Sequence, residues 1–268
     1  MLEGTAPGFE GRSPSTTMIR YLLAGATAAA LGVTAYQSVA PRGQWYGRTF
    51  TGLPRGYRQL ALTFDDGPND PHTLDLLNVL AKHNVLATFF LVGRYARQRP
   101  DIVREIQRAG HVIGNHTFTH PNLIFVSPLQ TRIQLEECDR TLSEILGERP
   151  ALFRPPFGGR LPHTLRSARS MGLEPVMWNV TGWDWKTNSA EYVQRKVSQQ
   201  IRGGDVILLH DGSHLRFGFD RAHTVIATDR LIASHKKEYE FVSILEMMGK
   251  AAAQDPVGRN LDTPASNA

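Results

Sequence analysis

The chain has 268 residues, of which 41% are hydrophobic and 21% charged, a composition typical of a globular protein with a substantial core. Its formal net charge is +5, but the lysines and arginines are scattered, which argues against nucleic acid as a partner. The single cysteine, Cys138, excludes an internal disulfide and a cysteine-built zinc site, and its amphipathic helical surroundings predict a buried thiol.

The first 57 residues precede the main pattern of strands and helices. Residues 1–17 are rich in glycine, serine, threonine and proline, which predicts a disordered leader. Residues 18–40 carry Arg20 and then an uncharged apolar run, a pattern typical of a signal peptide or a membrane anchor; an alanine-rich soluble helix is the alternative. Pro41 disfavours cleavage after Ala40 and slightly favours a retained anchor. Residues 41–57 are interpreted as a linker.

From residue 58 to residue 250, apolar strand patterns alternate with amphipathic helix patterns. Strands are predicted at 59–64, 87–93, 111–116, 152–158, 174–180, 206–212 and 239–244. Helices are predicted at 72–84, 100–110, 127–147, 163–171, 189–202 and 220–235. About seven strand–helix units with short loops predict an α/β fold, a single catalytic domain with a distorted parallel (β/α) barrel. Residues 251–268 are polar and aperiodic, and we expect a disordered tail there.

Polar residues lie in or follow several predicted strands, at the end where active sites of parallel barrels are built. They are Asp65 and Asp66, His116, Arg154, Asp184 and Trp185, and His210. A turn would account for the segment DDGP alone, since aspartate, glycine and proline all suit turns. Two adjacent carboxylates at a buried strand end otherwise need a positive partner, either a metal ion or a basic side chain.

The segment NHTFTH holds His116 and His120 with three residues between them. A helical turn past the strand end would direct both imidazoles at one ion, although incidental histidines are the alternative for this motif taken alone. Two histidines and one carboxylate form a hydrolytic metal site with positions open for water and substrate. One aspartate would bind the ion, and the other would be free as a general base.

Five segments in chain order, TFDDGP, HTFTH, RPPFGG, WDW and LLHDG, resemble the motifs of the polysaccharide deacetylase family. This family includes chitin deacetylases, peptidoglycan N-acetylglucosamine deacetylases and acetylxylan esterases, and the resemblance covers residues 58–248. It implies a divalent metal, usually zinc and sometimes cobalt or nickel, held by Asp66, His116 and His120. It also implies that Asp65 is the general base, tethered by Arg154. The general acid would be His210, oriented by Asp184.

The same resemblance implies which residues face the substrate. The backbone N–H of Phe157 would help to hold the oxyanion, and Trp185 and Leu208 would wall the pocket for the acetyl methyl group. Two positions depart from the family pattern. Thr181 stands where an aspartate is common, three residues before Asp184, and Phe157 replaces a frequent tyrosine. The first departure bears on substrate contacts rather than on the reaction.

The remaining histidines and tryptophans are assigned to surface, loop or packing roles. Seven histidines lie outside any ligand-like pair: His72, His83, His111, His163, His214, His223 and His235. Of these, His214 alone could approach the rim formed by the carboxyl ends of the strands, because it follows the sixth predicted strand. Trp45, Trp178 and Trp183 are interpreted as packing residues, with the exception that Trp183, beside Asp184, could face a sugar.

The leading hypothesis is an extracytoplasmic, metal-dependent hydrolase that removes N-acetyl groups from N-acetylglucosamine-containing glycans such as peptidoglycan or chitin. An O-acetyl esterase on xylan or another acetylated glycan is the alternative, because the same site serves both reactions. A catalytically inactive carbohydrate-binding protein is a further alternative, which the presence of all five metal and acid–base residues disfavours. No protein partner is indicated, and a membrane is a partner only if residues 18–40 are retained.

Overall fold

Parallel strands form one curled sheet in this protein, whose computed structural model describes residues 16–254. The strands are β1 (Gln59–Gly67), β2 (Thr88–Leu91), β3 (Val112–Asn115), β4 (Leu152–Phe153), β5 (Glu174–Pro175), β6 (Val180–Thr181), β7 (Asp205–His210) and β8 (Glu240–Phe241). Their order is β5-β4-β3-β2-β1-β7-β6, and β8 pairs with the start of β1. The predicted parallel α/β fold is therefore confirmed.

Most of the helices lie between successive strands and cover the outside of the sheet, whereas the first precedes β1 and the last follows β8. They are α1 (Thr16–Val39), α2 (His72–His83), α3 (Gly93–Gln98), α4 (Pro100–Arg108), α5 (Pro128–Leu146), α6 (Pro162–Ser170), α7 (Ala190–Gln200), α8 (Ala222–His235) and α9 (Ile244–Gln254). The bounds predicted for α5 are confirmed, and both have a local cause. Ser127 accepts a hydrogen bond from the Gln130 amide at 3.2 Å, and Gly147 takes the left-handed conformation with φ 78° that ends the helix.

The two faces of β1 are buried against different parts of the molecule. Leu60, Leu62 and Phe64 belong to the large core between the sheet and its helices. Ala61 belongs to a second cluster on the inner face of the curl, together with Phe90 and Val206. Because strand side chains alternate, Thr63 and Asp65 also lie on this inner face. The strand thus delivers one carboxylate to the inside of the curl.

The curl is open, because β5 and β6 are the two edges of the sheet and do not pair with each other. Two predicted strands are also much shorter than expected. Residues 152–158 keep only a two-residue strand, since Pro155 and Pro156 cannot donate ladder hydrogen bonds. Residues 174–180 divide into β5 and β6, because the guanidinium of Arg154 takes the carbonyls of Val176 and Met177. The barrel is accordingly a half-barrel.

Residues 41–57, interpreted above as a linker, lie against the domain. Phe50 forms a parallel bridge with Val176, and Gly52 forms an antiparallel bridge with Asp205, so the segment contacts strands on both sides of the opening. The buried guanidinium of Arg160 donates to the carbonyls of Ala40 and Gly43 at 2.7 and 2.6 Å. The end of α1 is thereby attached to the loop that follows β4.

Several predictions concern the ends of the chain. Residues 18–40, predicted to be a signal peptide or an anchor, fall mostly within α1, and no helix among residues 16–254 is long and apolar enough to cross a membrane. Of the predicted leader, residues 16 and 17 begin α1, and the rest lies outside the described residues. Residues 251–254 of the predicted tail belong to α9, whereas residues 255–268 lie outside the described part.

Three side chains lie elsewhere than the sequence predicts. His111 is buried beside Phe89 with ring centroids 5.5 Å apart, and this burial lowers its pKa to about 4. His223 is also buried, against the Asp184 loop. Trp45, predicted to pack, has 68% of its surface exposed. The surface or loop assignment of the two histidines was wrong, because each accepts or donates a hydrogen bond that ties neighbouring backbone together.

Candidate active site

A β-bulge brings the two adjacent aspartates to one side of the sheet. Residues next to each other in a regular strand point to opposite faces. In β1 the register against β2 shifts between Asp65 and Gly67, and Asp66 is the extra residue, with φ 75°. Asp65 keeps its inward direction, and the left-handed backbone at Asp66 carries the second carboxylate to the same rim. Both residues are buried, at 4% exposure each.

Asp65 is paired with the buried cation Arg154. The Arg154 Nη1 donates to Asp65 Oδ1 at 2.8 Å and to Thr63 Oγ1 at 2.7 Å. Burial lowers the pKa of Arg154, and the charge of Asp65 partly compensates this. The guanidinium is fully buried, so the aspartate has its counter-charge on the side away from the rim. The other oxygen, Oδ2, lies 3.8 Å from His116 Nε2.

The segment HTFTH forms a bent loop rather than the helical turn that the histidine spacing suggested. Thr117 and His120 have positive φ values of 65° and 63°. Asn115 Oδ1 accepts from the Thr117 amide at 2.9 Å, and Gln134 Oε1 accepts from the amides of Phe118 and Thr119 at 3.1 and 2.8 Å. These hydrogen bonds hold the loop in a shape that turns both imidazoles toward Asp66.

The Asp66, His116 and His120 side chains place their ligand atoms within 4.8 Å of one another. Asp66 Oδ1 lies 3.6 Å from His116 Nε2 and 3.0 Å from His120 Nε2. The Nδ1 of His116 lies 2.7 Å from the carbonyl of Arg154, which assigns the ring proton to Nδ1 and leaves a lone pair on Nε2. Burial raises the pKa of Asp66, but the neighbouring imidazoles of His116, His120 and His214 outweigh burial and hold the pKa well below its usual range.

This trio fits a divalent metal ion. Asp66 Oδ1 is buried and accepts no hydrogen bond from any described residue, although two imidazole nitrogens face it at short distance. Electron-pair donors that face one another without a shared proton repel, and a cation between them removes that repulsion. Two nitrogens and one carboxylate oxygen are the donor set of a hydrolytic site with open positions.

Asp184 and His210 form a second charged pair on the same rim. The Asp184 Oδ1 lies 2.8 Å from His210 Nδ1, and Oδ2 accepts from the His210 amide at 2.7 Å and from Thr224 Oγ1 at 3.0 Å. Burial lowers the pKa of His210, but the carboxylates of Asp184, Asp66 and Asp65 together outweigh burial, and the pKa is raised. Burial likewise raises the pKa of Asp184, and His210 and Arg221 reverse the effect, so that its pKa is lowered.

The residues predicted to face the substrate lie around these two pairs. Phe157 is half exposed in a left-handed conformation with φ 57°, and its ring lies 4.7 Å from that of His120. On the opposite side, the Trp185 ring lies 5.1 Å from that of His210. Leu208 is buried two residues before His210, hence on the same face of β7. Thr181 ends β6, where its backbone groups bind the Gln200 side chain.

His214 was the histidine that could approach the rim, and it does so. Its ring stacks on that of His120 with centroids 4.7 Å apart, and its amide donates to Asp66 Oδ2 at 3.3 Å. Other contacts at the site were missed from the sequence, namely those of Thr63, Asn115, Gln134, Arg221, His223 and Thr224. The position of an asparagine directly before His116 could have indicated its role from the sequence. No sequence pattern could have indicated the role of Thr224, since it lies forty residues from its partner Asp184.

Comparison with known proteins identifies the family. The polysaccharide deacetylase family profile matches residues 53–176. A Bacillus cereus peptidoglycan-N-acetylglucosamine deacetylase is 38% identical over 217 residues, covering 77% of this chain and 76% of the relative. A chitooligosaccharide deacetylase of Azorhizobium caulinodans is 39% identical over 161 residues, covering 60% of this chain and 77% of the relative.

A solved structure of the same fold adds a functional contrast. It is a CE4 family pseudoenzyme from Bacillus anthracis, with a TM-score of 0.69 and 26% identity, and the match covers 75% of this chain and 69% of that chain. The fold alone therefore does not establish activity, and the side chains at the rim must be considered. Taken together with the Bacillus cereus relative, these findings show that the chain belongs to the polysaccharide deacetylase family, the deacetylases of carbohydrate esterase family 4.

Proposed function

We propose that this protein is a metal-dependent hydrolase that removes N-acetyl groups from N-acetylglucosamine-containing glycans, with peptidoglycan as the first candidate and chitin-like oligosaccharides as the second. The observation that carries the proposal is that three groups of side chains converge on one rim. They are the metal-type trio, the Asp65–Arg154 pair and the Asp184–His210 pair. An N-acetyl amide is a poor electrophile with a poor leaving group. Its hydrolysis therefore needs an activated water, stabilisation of the oxyanion and a proton for the departing nitrogen.

The trio Asp66, His116 and His120 would hold the cation, and two imidazoles with one carboxylate suit zinc, with cobalt or nickel as substitutes. A bound divalent ion supplies Lewis-acid stabilisation of the acetyl oxygen and increases the acidity of water. The two histidine ligands have fixed directions, because Asn115 and Gln134 bind the backbone of the histidine loop. The metal positions not taken by protein would be left for water and substrate.

Asp65 acts as the general base in this proposal. Its Oδ1 is held by Arg154, which leaves Oδ2 beside the metal trio to accept a proton from water. The buried guanidinium holds the carboxylate in place, so the base does not bind the cation in competition with Asp66. The two adjacent aspartates thus have separate partners and separate roles.

His210 acts as the general acid. The raised pKa of its imidazole, due to Asp184, favours the protonated form that can donate to the leaving nitrogen. Asp184 also fixes the ring orientation, since it binds both the ring and the backbone amide of His210. We further assign oxyanion stabilisation to the Phe157 amide, and the acetyl pocket to Trp185 and Leu208, by analogy with the family.

Released acetate measured on three substrates tests the reaction and its alternative. Purified protein with metal is expected to release acetate from peptidoglycan strands and chitooligosaccharides, with a free amine appearing in equal amount. An O-acetyl esterase would instead release acetate from acetylated xylan and produce a free hydroxyl. No acetate from any of the three substrates, with metal bound, would favour an inactive carbohydrate-binding protein.

We place the catalytic domain outside the cytoplasmic membrane, because peptidoglycan lies there and because residues 18–40 have the pattern of an export segment. Protease added to intact cells without an outer permeability barrier is expected to degrade the protein and to spare a cytoplasmic marker. Recovery of the full-length chain in the soluble cytoplasmic fraction alone would contradict this location.

A further inference from the structure

Beside the catalytic His210, two tryptophans present unusually exposed rings. Trp183 and Trp185 are 37% and 42% exposed, and their ring centroids lie 5.2 Å apart. Trp185 in turn contacts the ring of His210 at 5.1 Å. A continuous line of rings therefore leads from His210 through Trp185 out to the exposed ring of Trp183.

The backbone at Trp183 indicates that its exposed position is maintained against a conformational preference. Trp183 has φ 55° and ψ 29°, the left-handed region that bulky side chains rarely adopt. Glycine or asparagine would adopt this conformation at less strain. Such strain at the edge of a catalytic site is characteristic of a residue retained for contact with a ligand. An exposed indole is well suited to the apolar face of a sugar ring.

A cation lies on the Trp183 ring. The Lys186 Nζ is 4.3 Å from the indole centroid, in the geometry of a cation–π contact. Lys186 is exposed, and among residues 16–254 no carboxylate lies within ion-pair distance of it. A sugar stacked on Trp183 would therefore have an unpaired ammonium group beside it. That arrangement complements a negative charge carried by the sugar itself.

We propose that Trp183 and Lys186 form a subsite for an acidic sugar next to the N-acetylglucosamine that is deacetylated. Together they constitute the acidic-sugar subsite, with the indole stacking on the ring and the ammonium binding its carboxylate. In peptidoglycan the sugar that alternates with N-acetylglucosamine is N-acetylmuramic acid, whose lactyl carboxyl is free wherever no stem peptide is attached. The inference rests on the proposed deacetylation, and it favours glycan strands with a free lactyl carboxylate over neutral chitin chains.

The test compares substrates that differ in charge alone. One is a peptide-free tetrasaccharide of alternating N-acetylglucosamine and N-acetylmuramic acid, and the other is the same tetrasaccharide with its carboxyls converted to methyl amides. The wild-type kcat/KM is expected to be about three- to tenfold higher for the acid, the range of an exposed to partly desolvated ion pair. This ratio should fall with added salt, because the carboxylate and ammonium are near the surface.

Three variants assign the effect to the subsite. Lys186→Gln is expected to bring the acid-to-amide ratio close to one through KM, and Lys186→Arg to retain it. Trp183→Ala should raise KM for both substrates, since stacking needs no charge. Lys196→Gln is the matched control, because Lys196 also lies over an aromatic ring, that of Tyr192 at 5.6 Å, but on α7. Its ratio should equal the wild-type ratio.

Failure of the subsite and failure of the proposed function give different results. An equal kcat/KM on acid and amide in the wild type, or an unchanged ratio in Lys186→Gln, overturns the acidic-sugar subsite while deacetylation stands. No acetate from either tetrasaccharide overturns the proposed function. An oligosaccharide that alternates N-acetylglucosamine with glucuronic acid distinguishes two sources of the carboxylate. If Lys186→Gln lowers kcat/KM more on that substrate than on the N-acetylmuramic acid substrate, the subsite belongs to a uronic acid and the lactyl assignment is overturned.

Discussion

Replacing His116 with alanine is expected to remove the bound metal and to abolish measurable acetate release. Loss of a residue that merely orients a ligand lowers metal affinity by about 10–100-fold, and loss of the ligand itself should exceed that range. His116 also binds the Arg154 carbonyl, so its ring direction is fixed before any ion arrives. Metal content of purified protein, about one divalent ion per chain in the wild type, provides a readout independent of activity.

The controls for this prediction separate metal loss from misfolding. A strong chelator should abolish turnover in the wild type, and zinc or cobalt should restore it, whereas neither ion should restore His116→Ala. His235→Ala is the matched variant, because this partly buried histidine binds Ser198 far from the rim and should leave metal content unchanged. Full activity in exhaustively metal-free wild-type protein would contradict the mechanism as a whole.

Much of the site was accessible from the sequence because of one regularity. Carboxyl ends of parallel strands meet at one edge, so polar residues at the ends of β1, β3 and β7 had to be neighbours. In the structure, β1 pairs with β7 in a register that places Asp65 directly opposite His210, as this regularity predicts. Predicting such neighbours requires only the positions of the strands, and the apolar runs in the sequence indicate those positions.

The remaining features depend on contacts between distant parts of the chain. The bulge at Asp66 arises from the register with β2, and no property of the segment DDG distinguishes it from an ordinary turn. The histidine loop takes its shape from Gln134, which lies on a helix, so a helical turn was the wrong expectation. The opening of the barrel is likewise set by residues 50–53, whose partners Val176 and Asp205 lie more than a hundred residues away.

Asp184→Asn tests the assigned partner of the general acid through the pH dependence of the reaction. Activity requires the protonated imidazole of His210, so the alkaline limb of the pH–rate profile follows the pKa of that group. Burial lowers this pKa, and the carboxylates of Asp184, Asp66 and Asp65 together raise it, so that the net direction is upward. Asp184 is the largest of these raising influences, so an uncharged asparagine in its place must lower the pKa. The alkaline limb is therefore expected to move to lower pH, with kcat reduced about tenfold or more and metal content unchanged.

Removing the imidazole itself should produce a larger loss that depends on the leaving group. His210→Ala is expected to lower kcat on N-acetylated glycans by about 10²-fold or more, because the departing amine then has no positioned proton donor. An activated aryl acetate needs no such proton, since its phenolate leaves unaided, and its hydrolysis should be reduced far less. The comparison is made on one protein preparation, so incomplete folding or partial metal loading lowers both rates alike and cancels in their ratio. Equal losses on amide and aryl ester would show that His210 supports the site by some other means, and the proton for the amine would then have to come from a different group on the rim.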